Sequence, residues 1–438
     1  MGLEVTGQNI ANVNTPGYSR RVIDFSPLAP DGPTSAGRGV DVAGVRASRD
    51  RLLERRLQQE VPAERRQAAI AEALSVVETT LGAAGESIDA RMSALFDSFS
   101  TLAESPTSSV ARQQVILQGQ SLTSAFNDMS NRLDIAQRDT DKTIRAGVEE
   151  VNSLTGRIAA LNDTIAKSRG TTQLHLQDEQ AGLVKQLSEL VDIGVLDNDE
   201  GGVDITFGNG RPLVTGKSDF ALSVTSAPPS GFAQIMASGV NTTNEITGGR
   251  IGGLLHVRDV QVPDYKSRLD QLAYDVAQQF NTAHRAGYDQ NGTQNRDFFA
   301  DLTTVAGAAS AISMDSALVS DPSRIAAAGV NASGDNGTAR TLAGLRDARV
   351  LNGGTATLVD SWSQLVYRVG RDAQAAYDEQ SSRAEIVRQV DALRDQVSGI
   401  SLDEEAMQLL KFQRAYEANA KFFSAIDQTL DHLMSLAR

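Results

Sequence analysis

Residues 402–438 read LDEEAMQLLKFQRAYEANAKFFSAIDQTLDHLMSLAR, and this stretch decides how the rest of the chain is organised. From Leu409 onward, apolar residues lie alternately three and four positions apart, with Asn419 as the polar member of the series. The series consists of Leu409, Phe412, Tyr416, Asn419, Phe423, Ile426, Leu430 and Leu433. Because heptad spacing places its members in one seam along a helix, we predict a helix from Leu402 to Arg438 that binds a partner helix.

The residues around the start of this segment indicate where the helix begins. Ser401 and Glu404 have the spacing of a capping box, in which each side chain bonds the other residue's backbone N–H. Acidic residues 403–405 lie in the first turn, where the helix dipole favours negative charge. A capped helix with an apolar seam at the end of a chain favours an assembly role over catalysis.

The first residues of the chain carry a shorter version of the same pattern. Leu3, Ile10 and Val13 fall on one helical face. The segment Thr15-Pro16-Gly17 follows and must end this helix, because proline disfavours the helical conformation of the preceding residue and glycine permits a tight turn. We therefore predict a short helix at the N-terminus and a long one at the C-terminus, which pair as a coiled coil.

The composition restricts the function. With 438 residues the chain is long enough for about two to four domains. The net charge of −14 argues against nucleic-acid binding, which needs a basic surface. The absence of cysteine excludes disulfides, thiolate catalysis and zinc sites of the Cys type. No standard secretory signal is visible, and no apolar run approaches the ~18 residues of a membrane span, so we predict no membrane insertion.

Between the two ends the periodicity changes twice. Residues 48–104 predict helical pieces interrupted at Pro62 and at Gly82 and Gly85, and residues 106–168 predict a helix about 95 Å long if it is continuous. Alternating apolar and polar residues predict β-hairpins over 203–257, whereas helical spacing precedes them at 173–191 and returns at 265–280 and 362–397. Residues 288–350 are rich in Gly, Ala, Ser, Asn and Asp and predict short strands and loops.

These patterns predict a mainly α fold with a β-rich inserted domain. We expect an elongated, multi-domain chain in which segments from the two ends are nested side by side around the middle. The predicted parts are the terminal coiled-coil helices, 1–20 with 400–438; a long-helix domain, 21–190 with 258–287 and 355–398; and a β-rich outer domain, 191–257 with 288–354.

No constellation of residues predicts chemistry. The four histidines, 175, 256, 284 and 432, are not spaced as metal ligands. The segment Gly210–Ser218 has five residues between its glycines, one more than a phosphate-binding loop, and contains Pro212. The loop that begins at Asp289 has Ala300 where a calcium loop needs a glutamate. We therefore predict no catalytic residue, no cofactor and no metal.

Two segments resemble the axial proteins of the bacterial flagellum. Residues 9–20, NIANVNTPGYSR, are similar to their N-terminal signature. Residues 402–405, LDEE, with residues 413–421, QRAYEANAK, are similar to their C-terminal signature. The middle of the chain resembles the hook-associated protein 1 family of hook–filament junction proteins, at residues 176–195 (LQDEQAGLVKQLSELVDIGV), 248–259 (GGRIGGLLHVRD) and 335–337 (DNG).

The resemblance implies a non-enzymatic structural subunit. It implies a homo-oligomeric ring outside the cell, between the hook protein and the second hook–filament junction protein. It also implies export through the flagellar type III channel with a chaperone in the cytoplasm, terminal helices in an inner tube, and β domains facing outward. Family members begin with several helical turns before the Asn-rich signature, and we expect this sequence to lack them because Met1 lies close to Asn9.

The predicted assembly interface combines both ends of the chain. Its residues are Ile10, Val13, Leu409, Phe412, Tyr416, Asn419, Phe423, Ile426, Leu430 and Leu433. Two other functions stay open at this point. The termini suit a hook or rod axial subunit equally well, and the β-rich part could instead serve as a secreted binding module or adhesin.

Overall fold

The computed structural model describes residues 1–15, 17–28, 39–81, 87–332 and 334–436. Its helices are α1 (Gly2–Ala11), α2 (Arg51–Leu81), α3 (Ile88–Glu104), α4 (Ser109–Lys167), α5 (Gly170–Leu190), α6 (Gly249–His256), α7 (Val262–Arg285), α8 (Ala308–Ala311), α9 (Ser316–Ser320), α10 (Gly337–Gly344), α11 (Leu358–Ser398) and α12 (Leu402–Leu436). Among the described residues, no helix combines the length and the apolar content needed to cross a membrane.

Within the described ranges, the strands form three small antiparallel sheets. They are β1 (Arg21–Pro27), β2 (Val40–Ala47), β3 (Ile193–Asp197), β4 (Val203–Phe207), β5 (Arg211–Thr215), β6 (Ser218–Asp219), β7 (Leu222–Ala227), β8 (Phe232–Ala237) and β9 (Val240–Asn241). The hydrogen-bonded orders are β1-β2, β3-β4-β5-β6 and β7-β8-β9. The predicted mainly helical fold with small β sheets is confirmed. The predicted β module ends at β9 and not at residue 257, since Gly249–His256 form α6, and the pair β1 and β2 has no counterpart in the sequence prediction.

The long central helix, whose continuity the sequence left open, is continuous from Ser109 to Lys167. Helix α4 has 59 residues and is therefore about 88 Å long. Ser108 caps it, since its hydroxyl oxygen accepts a hydrogen bond from the backbone N–H of Ala111 at 3.2 Å. The first half of α4 packs on helices, and its second half packs on the β sheets, so this one helix spans both hydrophobic clusters of the molecule.

The predicted interruption of α2 at Pro62 is wrong. Helix α2 runs through Pro62, although proline lacks a backbone N–H and crowds the preceding turn. Val61 and Pro62 are buried, and α2 packs along both α11 and α6. The packing of α2 against these two helices thus outweighs the free energy that Pro62 costs the helix. The predicted breaks at Gly82 and Gly85 lie outside the described residues.

The predicted strands of residues 288–354 are also absent from the described part of this segment. It contains α8, α9 and α10 with isolated bridges such as Tyr288–Ala328. Its buried residues, among them Phe298 and Leu342, belong to the same cluster as the long helices. Side chains of α7 satisfy its backbone instead of strand partners, since Asn281 accepts hydrogen bonds from the N–H groups of Phe298 and Phe299. The division into three domains stays a prediction.

Polar side chains of α4 hold the β sheets. The Asn152 amide exchanges two hydrogen bonds of 2.8 Å with the backbone N–H and carbonyl of Leu222. Asn162 makes the same pair of bonds to Val203, at 2.8 and 3.0 Å. Asp141 accepts from the N–H of Ala233 and pairs with the buried Arg258. Side chains of α4 thus give the backbone groups of β7 and β4 the hydrogen-bond partners that a neighbouring strand would otherwise give.

A buried histidine of α7 is expected to make the free energy of unfolding depend on pH. His284 donates from Nδ1 to the Arg296 carbonyl at 2.8 Å and accepts at Nε2 from the Ala326 N–H at 2.9 Å. Burial lowers its pKa from 6.5 to about 4. The unfolded chain therefore binds a proton that the folded chain excludes, and the free energy of unfolding is expected to fall between pH 6.5 and 4, by at most about 3 kcal/mol.

Urea denaturation at pH 7, 5 and 4 measures this effect against a His284→Gln variant, whose side chain stays neutral throughout. The carboxylates titrate in both proteins, so the difference between the two curves isolates His284. The variant is expected to lose less stability over this range, and parallel curves would contradict the assignment.

Candidate assembly interface

The two ends of the chain meet side by side. Asn9 of α1 hydrogen-bonds to Glu405 of α12, and the Cβ that a side chain would place on Gly2 lies 3.0 Å from the Phe412 ring. Because residue numbers fall along α1 as they rise along α12, the two helices run antiparallel over the first turns of α12. Glycine at position 2 is what allows this close approach to the ring.

Asn9 and Glu405 form the centre of a buried polar network. The amide nitrogen of Asn9 donates to the Arg21 carbonyl and to Glu405 Oε2, both at 3.0 Å. Its amide oxygen accepts from the Arg21 N–H at 2.9 Å and from the Tyr18 hydroxyl at 3.1 Å. The Glu405 side chain is 3% exposed and also accepts from Arg20 Nε at 2.8 Å. Both buried groups are thus satisfied, which is the condition for polar burial without a large cost.

The same network is anchored to the helical body through α5. Asp178 binds Arg21 through one carboxylate oxygen and Arg49 Nη2 through the other at 2.7 Å. The Arg21 guanidinium also lies over the Tyr18 ring, 5.0 Å from its centroid. Burial raises the pKa of Tyr18, which keeps its hydroxyl protonated as a donor to Asn9. We call this set the terminal clamp; it consists of Asn9, Tyr18, Arg20, Arg21, Arg49, Asp178 and Glu405.

Half of the predicted capping box forms. The Ser401 hydroxyl accepts from the backbone N–H of Glu404 at 3.4 Å. The Glu404 carboxylate instead pairs with Arg20 Nη1 at 3.1 Å. The acidic first turn of α12 therefore binds the N-terminal segment as well as stabilising its own helix.

The predicted interface residues divide into two groups. Those near the clamp, Ile10, Val13, Leu409 and Phe412, are half-buried. The others are exposed along α12: Tyr416, Asn419, Phe423, Ile426, Leu430 and Leu433. The structure thus covers the first group in part and leaves the second group uncovered in the single subunit. Val5 of α1, which is 3% exposed, is more buried than any of them and was not among the predicted residues.

The exposed group lies along one face of α12 and is apolar except for Asn419. We call this face the seam; it consists of Tyr416, Asn419, Phe423, Ile426, Leu430 and Leu433. Phe423 is 66% exposed and Leu430 53%. A row of large apolar side chains on the surface marks a protein-binding site, and each contributes about 1.5–3 kcal/mol when fully buried. Phe422 and Met434 beside it are also exposed. The arrangement can therefore bind helices, and the described part of the chain holds no cluster of metal-binding side chains.

Comparison with known proteins identifies the family. Residues 74–299, just over half of the 438-residue chain, match the family model of the flagellar hook-associated protein FlgK helical domain. The chain belongs to the FlgK family. It is therefore a structural protein of the bacterial flagellum, as the sequence resemblance predicted. Residues 395–436, which include α12, also match the C-terminal model of the flagellar basal body rod FlgEFG proteins.

Sequence similarity to flagellar hook-associated proteins extends over nearly the whole chain. Flagellar hook-associated protein 1 of Bacillus subtilis (strain 168) is 28% identical, with 99% of this chain and 94% of that protein covered. The protein of the same name from Escherichia coli (strain K12) is 25% identical, with 99% and 96% covered. The flagellar hook junction protein FlgK from Burkholderia pseudomallei shares the fold, with a TM-score of 0.70 at 16% identity, over 78% of this chain and 100% of that structure.

The interface predicted from the sequence did not include the clamp residues. Asn9 and Arg20 lie in the N-terminal signature and Glu405 in the C-terminal one, yet heptad spacing selects apolar residues only. Asp178 gives no local signal, because its partner Arg21 is 157 residues away. The signal that could have found the clamp is the presence of acidic and basic groups in the two signatures.

Proposed function

We propose that this FlgK-family chain forms the junction between the flagellar hook and filament. The observation that carries the proposal is the uncovered seam of α12, since a long apolar helix face exposed in one subunit is suited to burial in an assembly. The similarity to hook-associated protein 1 and to a hook junction protein supports this location.

The assembly follows from the position of the two ends. The antiparallel contact between α1 and α12 is the start of a coiled coil, and the seam continues it against neighbouring subunits in a ring. The β sheets then face outward, and the nested halves of the long-helix domain connect them to the inner helices. The predicted interface, from Ile10 and Val13 to Leu433, acts in this role.

The partners and location follow from the same role. The subunit leaves the cell through the flagellar type III channel, after binding an export chaperone in the cytoplasm. Outside the cell it contacts the hook protein on one side and the second hook–filament junction protein on the other. It works without catalysis, cofactor or metal, and without nucleic-acid binding or membrane insertion.

A hook or rod axial subunit is the second candidate. The match of residues 395–436 to rod proteins favours it, because α12 alone does not separate the members of the group. The match of residues 74–299 to the FlgK helical domain favours the junction instead. An adhesin built on the β sheets has less support, since the relatives that cover 99% of the chain are flagellar proteins.

Deletion of the gene in its source organism tests the junction role. The expected phenotype by electron microscopy is complete hooks without filaments, with filament protein shed into the medium, because filament subunits have no surface to attach to. Complementation with the sequence restores filaments. Normal filaments in the deletion strain would remove the junction role, and loss of the hook itself would favour the hook or rod subunit.

A further inference from the structure

One residue of the terminal clamp touches both sides of the only covalent link between α11 and α12. Helix α11 ends at Ser398 and α12 begins at Leu402, so residues 399–401 connect them. The backbone N–H of Arg20 donates to the Ser398 carbonyl at 3.2 Å. Its guanidinium binds Glu405 at 2.8 Å and Glu404 at 3.1 Å. Arg20 therefore joins the last residue of one helix to the first turn of the next.

The space around this linker is not filled. A cleft of about 600 Å³ lies on one side and includes Thr15, Gly17, Arg394 and Ile400 in its lining. A second cavity, of about 200 Å³, also reaches Gly17 and Arg394 and extends to Val61 and Ser398. The described residues leave both spaces open to solvent, so side-chain packing there does not fix the direction of α12.

The remaining contacts of α12 with the body are few. The helix packs along α1, which is itself a terminal segment, and the Phe412 ring lies 6.4 Å from the Phe25 ring. Among the residues that the structure describes, α12 is exposed at nearly every position beyond these contacts. Hydrogen bonds and ion pairs of the clamp thus hold its orientation, and among them Arg20 is the residue that spans the linker.

We propose that Arg20 is a positioning residue that fixes the angle between α11 and α12, and that without its guanidinium α12 turns about residues 399–401. The inference concerns the subunit alone and does not depend on the proposed place in the flagellum. The chain then has a joint at residues 399–401 at which ion pairs hold the angle between α11 and α12. Breaking these ion pairs costs less free energy than separating a packed apolar interface.

Distances between two spin labels test the proposal in the full-length chain. The chain has no cysteine, so Ser382→Cys in α11 and Ala418→Cys in α12, both at exposed positions, give a single labelled pair. Double electron–electron resonance is expected to show one narrow distance in this parent protein. In Arg20→Met the distribution is expected to widen and shift, by up to about 8 Å for a turn of about 20°, because Ala418 lies about 24 Å along α12 from Leu402.

Two variants and a second label pair separate positioning from folding. Arg20→Lys keeps one cationic contact and is expected to give an intermediate width, whereas Arg46→Met, which removes an exposed guanidinium paired with Asp24, is expected to match the parent. A pair within α12, Asp403→Cys with Ala418→Cys, is expected to keep its distance in every variant. An unchanged distribution in Arg20→Met, a parent distribution that is already broad, or a change in the pair within α12 would each overturn the proposal.

Discussion

Leu430→Asp is expected to abolish filament attachment while the body of the protein stays folded. Leu430 lies in the seam and is 53% exposed in the single subunit, so the substitution places a carboxylate in water and costs the subunit little. In the proposed assembly the same position would be buried against another helix, where an unpaired charge is strongly unfavourable. Electron microscopy of cells that carry only the variant gene should show hooks without filaments and filament protein in the medium.

A matched control separates the seam from the rest of α12. Gln428 is exposed and lies on the opposite face of the helix from Leu430, since the two are separated by about 200° at 100° per residue. Gln428→Asp adds the same charge and is expected to leave filaments normal. Both purified variants should unfold at the temperature of the parent. Normal filaments from Leu430→Asp would show that the seam is not buried in the assembly.

Phe280→Ala is expected to lower the free energy of unfolding by about 3–5 kcal/mol. Phe280 of α7 is completely buried. Its ring centroid lies 5.7 Å from that of Phe96 and 5.6 Å from those of Phe298 and Phe299. One substitution therefore removes ring contacts to α3 and to the segment that follows α7, and the structure cannot close the resulting cavity without moving all of them. Urea denaturation followed by circular dichroism measures the loss.

A phenylalanine outside the core serves as the control for this loss of stability. Phe220 is 40% exposed, and Phe220→Ala is expected to change the free energy of unfolding by less than about 1.5 kcal/mol, since much of its ring is already in water. Equal losses in the two variants would show that the segment around Phe298 does not depend on α7. That result would favour the predicted outer domain, in which residues 288–354 belong with residues 191–257.

Prediction from sequence succeeded where a pattern repeats within one element. The helical spacing over residues 106–168 appears as the single helix α4, and the alternation at Val203–Phe207 appears as β4. In these cases each residue's side of the element follows from the period alone. Pro62 shows the limit of the same method, because the rule that proline ends a helix describes an isolated helix, and α2 is held by α6 and α11.

Segments without a period were predicted less well. Residues 288–354 have a loop-like composition, and the choice between strand and irregular backbone there depends on which groups bind the backbone. Asp270 accepts from the N–H groups of Gly307 and Ala309, both at 2.9 Å. These bonds come from another element, so the segment's own sequence does not contain the information. The hydrogen bonds of Asn152 and Asn162 to the sheets were missed for the same reason.

The sequence by itself determined that α12 has an apolar seam, because a heptad spacing specifies one helix face whatever surrounds it. It also contained both flagellar signatures. Only the tertiary structure decided that Asn9, Arg20, Glu405 and Asp178 form one clamp, since it joins groups up to 396 residues apart. Local periodicity specifies which way a side chain points within its own element, and the partner it meets depends on how the elements are placed in three dimensions.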